Sequence, residues 1–160
     1  MTHDYLTIGR GVLSDIKSTF FSLQMEIEKP ENIPVDLEMN IDVQDGLEFQ
    51  IMMNLQGDEL HLHIDEFHCS WFPCDDINVA NDFMESVKGM IYGEYRVKLI
   101  CRNGKLFSAM LQKPEVQSWK TIARYGGLIS LWPFGIKTIS YVQNSKTDII
   151  HKKSTANSLR

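Results

Sequence analysis

Two stretches of alternating apolar and polar residues, joined by a two-residue turn, limit what this chain can fold into more than any other feature. Over residues 33–43 and again over 47–55, almost every second residue is apolar. A period of two places these residues on one face of a strand, and the intervening Asp45-Gly46 is a strong hairpin signal. We therefore predict an antiparallel hairpin with one buried face and one acidic face. The predicted buried face, extended to the next strand, is Val35, Leu37, Met39, Ile41, Leu47, Phe49, Ile51, Met53, Leu60, Leu62 and Ile64.

The segments on either side of this hairpin predict a helix and a third strand. Apolar residues recur every three or four positions from about residue 4 to residue 28, where Pro30 stops the helical pattern. After a turn at Gly57 the alternation returns over residues 60–65, which predicts a third strand.

A second helix and a second hairpin are predicted further along the chain. An apolar stripe at helical spacing over residues 79–91 follows Asp75 and Asp76, either of which can cap a helix, and precedes Gly93 at a suitable C-terminal position. Asn103-Gly104 is a strong turn signal between two further alternating segments.

The pattern in the last part of the domain predicts a third helix, but it does not decide the structure of the segment that follows. Pro114 suits the first turn of a helix, and Gly126-Gly127 would end it. Residues 128–142 form either a strand or irregular structure. The predicted order is α-β-β-β-α-β-β-α-(β). Because the short connections are antiparallel, we expect an α+β fold: an antiparallel sheet of about five to six strands (three-strand meander plus hairpin) with helices packed on one face.

Length and charge indicate one domain with a basic tail. The chain has 160 residues, a single-domain length, with 16 basic and 21 acidic side chains and a net charge of −5. Residues 144–160 hold four basic residues against one acidic residue, which leaves −8 on residues 1–143. We expect a single α+β domain over 1–143 and a polar, basic, flexible tail over 144–160. A domain this acidic argues against a nucleic-acid partner, which needs a concentrated basic face.

Cysteine usage and hydropathy predict a cytoplasmic protein that does not cross a membrane. Three cysteines are an odd number, and no charged segment followed by an apolar one opens the chain. The longest nearly uncharged apolar stretch, residues 126–136, is about half of the ~20 residues that a membrane-spanning helix needs.

One local group of residues could hold a metal. His61, His63 and Asp65 occupy alternate positions of the third strand and share a face, and neutral imidazole with carboxylate suits zinc or ferrous iron. The spacing His-x-His-x-Asp resembles the opening of the metallo-β-lactamase motif, which continues with histidine where this chain has Glu66. His68 lies close by in sequence. The alternative, which we favour, is that these residues form the wet face of an amphipathic strand, so no cofactor is expected.

The sequence gives little support for catalysis or nucleotide binding, but it does contain residues that are typical of a binding surface. The chain has no Gly-x-Ser-x-Gly elbow and no phosphate-binding glycine loop after a strand, so nucleophilic catalysis and nucleotide binding are not indicated. Aromatic residues with basic neighbours are typical of protein contacts. The predicted interface residues are Trp119, Arg124, Tyr125, Trp132 and Phe134.

In the order of its elements over residues 4–126, the chain resembles the small acidic class I chaperones of type III secretion. The resemblance implies dimerisation and binding of a partner polypeptide without catalysis, and it carries no site residues. We therefore expect a non-catalytic protein-binding module, chaperone-, adaptor- or immunity-like, that binds a protein partner or itself. Two alternatives remain. One is a small metal-dependent enzyme or metal-binding protein that uses the His61, His63 and Asp65 face, to which His68 could be added. The other is a small-molecule-binding α+β domain.

Overall fold

The fold, described for residues 4–126 and 135–145 by a computed structural model, consists of two helices and two antiparallel sheets. The helices are α1 (Tyr5–Thr19) and α2 (Ile77–Ile91). The first sheet has the order β1-β2-β3-β4-β5, with strands β1 (Glu26–Glu28), β2 (Leu37–Ile41), β3 (Ile51–Gln56), β4 (Glu59–Ile64) and β5 (Phe67–Trp71). The second has the order β8-β7-β6-β9, with strands β6 (Arg96–Arg102), β7 (Lys105–Glu115), β8 (Ser118–Gly126) and β9 (Lys137–Val142). The predicted α+β class and a five-strand antiparallel sheet are confirmed, whereas the predicted second hairpin, β6 and β7, lies in a separate sheet.

The first sheet follows from the alternating pattern that predicts it. Gln44 and Leu47 exchange backbone hydrogen bonds of 3.1 and 2.9 Å across the Asp45-Gly46 turn. Nine of the eleven residues predicted to form the buried face are buried, whereas Val35 and Phe49 are half-buried. This apolar face belongs to the same core as the buried sides of α1 and α2. The opposite face of the sheet keeps its polar side chains.

The second sheet starts from the predicted second hairpin. Asn103 and Gly104 have φ angles of 50° and 74°, as a two-residue type I′ turn requires. Val97, Leu99, Ala109 and Leu111 are buried and join the same core as the first sheet. Strands β7 and β8 also contact β5, so the two sheets meet along that strand.

The predicted third helix is wrong, because residues 118–126 form strand β8. Pairing with β7 shifts between Leu111 and Gln112, which face Ala123 and Thr121, so Ile122 is an extra residue in β8. Such a bulge breaks the period of two. Apolar residues at positions 119, 122 and 123 then have helical spacing although the backbone is extended. The resemblance to secretion chaperones depended on a final helix at this place and is not supported here.

The predicted first helix extends too far. It ends at Thr19, and residues 26–28 form the edge strand β1, which pairs with β2. The apolar residues Leu23, Met25 and Ile27 lie two apart, so they fit a strand as well as the helical stripe. An ion pair of 2.8 Å between Lys17 and Glu26 joins the end of α1 to β1.

The predicted tail begins too early, because Asn144 is part of the fold. Its side chain is only 3% exposed and donates hydrogen bonds to the carbonyl oxygens of Gly46 and Ile91, at 2.8 and 2.7 Å. It also accepts one from the Glu48 backbone N–H at 3.1 Å. The segment 128–142, for which the sequence allowed either a strand or irregular structure, contains β9. Residues 127–134 and the remaining tail, 146–160, lie outside the described residues. Neither described helix has the length and apolar character needed to cross a bilayer.

Candidate functional site

Charge is strongly segregated along the chain and between the two sheets. Residues 1–95 carry 4 basic and 19 acidic side chains, a net charge of −15. Residues 96–143, which contain the second sheet, carry 8 basic side chains and one acidic side chain, a net charge of +7. The net charge of −5 therefore conceals a basic sheet attached to an acidic sheet and its helices.

Strand register places most of these cations on one face of the second sheet. Residues directly opposite each other in an antiparallel pair lie on the same face. Arg102 is opposite both Lys105 and Lys137, and alternation along β6 adds Lys98 and Arg96 to the same face. Met110, which is opposite Lys98, is in turn opposite Arg124. We call this surface the basic face: Arg96, Lys98, Arg102, Lys105, Arg124 and Lys137.

Two aromatic rings and a polar network fix the centre of the basic face. The guanidinium carbon of Arg96 lies 3.9 Å from the ring centroid of Trp119 and 4.2 Å from that of Tyr141. Such cation–π contacts hold the guanidinium in place while it keeps its charge. The Nε of Arg96 donates a 3.0 Å hydrogen bond to Gln112, whose amide donates to Thr121 at 3.3 Å. Arg96 is thus held in place by residues of three neighbouring strands.

The five residues predicted to form an interface divide into three groups. Trp119 and Arg124 lie on the basic face. Tyr125 points to the opposite side of β8, where its ring centroid lies 5.7 Å from that of His68. Trp132 and Phe134 lie outside the described residues.

The predicted interface missed the residues at the centre of the basic face. These are Arg96 and Lys98, which come from β6. A separate charge count over residues 96–143 would have found the signal, since the total for residues 1–143 combines opposite charges.

A second group of polar side chains lies on the outer face of β4 and β5. The two-residue turn Asp65-Glu66 joins these strands and places His63 opposite His68, while His61 follows the same face of β4. One ring nitrogen from each of the three imidazoles lies within 4.8 Å of the others. We call His61, His63 and His68 the histidine cluster.

Within the histidine cluster the rings are close and half-buried. Nδ1 of His61 lies 3.3 Å from Nε2 of His68, and the rings of His63 and His68 stack with centroids 4.1 Å apart and planes 12° from parallel. Burial lowers the pKa of His61; the carboxylate of Glu59 opposes this shift, and the neighbouring His68 adds to it. Burial also lowers the pKa of His63, together with both neighbouring imidazoles. These two rings are therefore neutral near pH 7 and can offer lone pairs.

Asp65, the third predicted metal ligand, is in the turn and not on the strand. Its φ of 51° makes it the first residue of the β4–β5 turn, and it is exposed. With His63 it lines an open cleft of about 470 Å³, whose other walls include Phe49, Gln50 and Met52. The structure therefore brings His61 and His63 together with His68, and it places Asp65 at the edge of the adjoining cleft.

No family model matches this sequence, and neither a curated protein nor a solved structure is significantly similar to it.

Proposed function

We propose that this protein is a non-catalytic protein-binding domain and that its basic face binds an acidic surface of a partner protein. One observation carries the proposal: six cationic side chains share one face of the second sheet, and none of the described residues that the register places there is acidic. Complementary charge steers such an encounter and fixes its orientation.

The exposed apolar residues on the same face supply the contact area that a charged patch lacks. Ile139 and Tyr141 are 45% and 49% exposed. Tyrosine, tryptophan and arginine supply much of the binding energy at protein contacts. Because Arg96 is already held between two rings, it loses little conformational freedom when a partner binds.

A protein fits the basic face better than a nucleic acid does. The guanidinium of Arg96 covers the faces of Trp119 and Tyr141 on which unpaired bases would stack. A long polyanion would also meet the rest of the molecule, in which residues 1–95 carry a net charge of −15. An acidic patch of limited extent can contact the basic face alone.

The test compares a polyglutamate peptide with a single-stranded oligonucleotide of equal charge, each followed by fluorescence anisotropy. We expect the peptide to bind, and the double substitution Lys98→Glu with Arg124→Glu to weaken binding by at least about tenfold, or about 1.4 kcal/mol. The matched control, Arg10→Glu with Lys29→Glu, makes the same change in net charge at exposed positions within the acidic residues 1–95. It should change affinity much less.

Two results would contradict the proposal. Equal losses in the two double variants would show that only net charge matters, and tighter binding of the oligonucleotide would make nucleic acid the partner. Light scattering of the free protein tests whether it associates with itself. If the free protein is a dimer and the Lys98 and Arg124 substitutions dissociate it, the partner of the basic face is a second copy of this chain.

The thiols agree with the predicted location. Cys69, Cys74 and Cys101 are all free, as a reducing compartment such as the cytoplasm keeps them. A cytoplasmic location stays a prediction.

A further inference from the structure

We propose that the histidine cluster binds a divalent transition-metal ion of the zinc class, with His61 and His68 as the first two ligands and His63 as the third. This site is separate from the basic face, and it differs from the one predicted from sequence because His68 replaces Asp65. Three imidazoles favour Zn²⁺, Co²⁺, Ni²⁺ or Cu²⁺ over Mg²⁺ and Ca²⁺, which prefer oxygen ligands.

The separation of the first two ligand atoms is that of a metal site. Two nitrogens about 2.0–2.1 Å from a tetrahedral Zn²⁺ lie roughly 3.3–3.4 Å apart. The distance from Nδ1 of His61 to Nε2 of His68 is 3.3 Å. The same distance also fits an N–H···N hydrogen bond between the two rings, which the ion would replace.

A carboxylate on the far side of His61 supports the same assignment. Oε2 of Glu59 lies 3.6 Å from Nε2 of His61, the ring nitrogen that faces away from His68. Histidines that bind metals commonly direct their second nitrogen to a carboxylate, which fixes the tautomer and orients the ring. The 3.6 Å separation is longer than a hydrogen bond. A small approach by the Glu59 carboxylate would hold the proton of His61 on Nε2 and leave the lone pair of Nδ1 for the ion.

His63 completes the site after a small movement. Its ring now stacks on His68 with the planes 12° from parallel, so a metal in the plane of one ring is out of the plane of the other. Rotation about its terminal side-chain torsion, which is broad for histidine, brings a nitrogen of His63 to the ion. Because His63 also lines the 470 Å³ cleft, water in that cleft can reach the cluster as a fourth ligand.

Titration of chelator-treated protein with Co²⁺ and then Zn²⁺ tests the site. We expect one equivalent of Co²⁺ to produce the visible absorption of a tetrahedral complex, and Zn²⁺ to displace it and raise the melting temperature. The paired substitution His61→Gln with His68→Gln should abolish both effects. The matched control, His3→Gln with His151→Gln, removes the same number of imidazoles outside the described residues and should leave both unchanged.

A milder variant separates loss of the site from loss of the fold. Glu59→Gln keeps all three imidazoles, and we expect it to weaken metal binding by about 10- to 100-fold while the circular dichroism spectrum stays unchanged. The proposal is overturned if wild type binds no Co²⁺, or if the His61 and His68 variant binds as well as wild type. Binding of the polyglutamate peptide reports on the basic face separately, so either proposal can fail without the other.

Discussion

At the scale of single residues, Asn144 shows how one side chain can join distant parts of the fold. Asn144→Ala removes the partners of two carbonyl oxygens and one backbone N–H, and a buried polar group left without a partner costs about 1–3 kcal/mol. We expect a loss of at least about 2 kcal/mol in the free energy of unfolding, measured by urea denaturation. Gln143→Ala, which removes a single hydrogen bond to Gly93, serves as the control and should cost less. Equal effects would mean that Asn144 has no special role.

The reactivity of Cys74 provides a second prediction at this scale. Burial raises the pKa of this thiol, and the carboxylates of Asp75 and Asp58 raise it further. Because only the thiolate reacts, a raised pKa leaves a smaller reactive fraction at pH 8 than an ordinary cysteine has. We expect alkylation of Cys74, followed by mass spectrometry, to be much slower in the native protein than in the urea-unfolded chain. Similar rates in the two states would contradict the burial of this residue.

Sequence patterns identified some site residues and missed others for physical reasons. His61 and His63 were found because their spacing of two places them on one face. His68 could be proposed only as an addition to this set, because its position depends on the two-residue turn at Asp65 and on the register of the next strand. Asn144 has no sequence signature, since its hydrogen-bond partners lie 53 to 98 residues away.

At the scale of elements, the two glycines of α1 make a matched pair. A Cβ at Gly9 would lie 2.6 Å from a side-chain carbon of the fully buried Leu55, whereas a Cβ at Gly11 meets nothing within 4 Å. Alanine favours a helix over glycine by about 0.8–1.0 kcal/mol. We expect Gly11→Ala to raise stability by roughly that amount, and Gly9→Ala to lower it by about 1–3 kcal/mol through overpacking. Thermal unfolding of the two variants measures these changes in stability. Stabilisation by both substitutions would show that Leu55 can move aside.

Elements with an unbroken period were predicted well, and those with a local irregularity were not. Strand β2 lies within its predicted segment, and β3 and β4 overlap theirs. Helix α2 follows the predicted cap Asp76, and the Asn103-Gly104 turn has the expected geometry. The error at β8 arises from the bulge at Ile122, which a pattern of hydrophobicity cannot distinguish from a helical repeat. Periodicity also cannot show that the second hairpin belongs to a separate sheet, because sheet membership is set by long-range pairing.

At the scale of the whole molecule, segregated charge should dominate how the protein meets charged surfaces. With a sequence pI of about 5.5, the chain would be expected to avoid a cation exchanger at pH 7. We expect it to be retained at low salt, because the basic face can meet the resin while the acidic half points away. Elution at lower salt after the Lys98→Glu and Arg124→Glu substitutions, but not after Arg10→Glu and Lys29→Glu, would identify the surface. Elution of wild type in the void volume would contradict it.

The hydrogen bonds of Asn144 also set a limit on the order of events during synthesis. Its partners at Gly46 and Glu48 precede it by 98 and 96 residues. While the chain grows on the ribosome, the carbonyl oxygens of Gly46 and Ile91 and the N–H of Glu48 therefore lack this partner until residue 144 has left the exit tunnel. The acidic sheet can form early from its local turns, but it is locked to the rest of the domain only at this late stage.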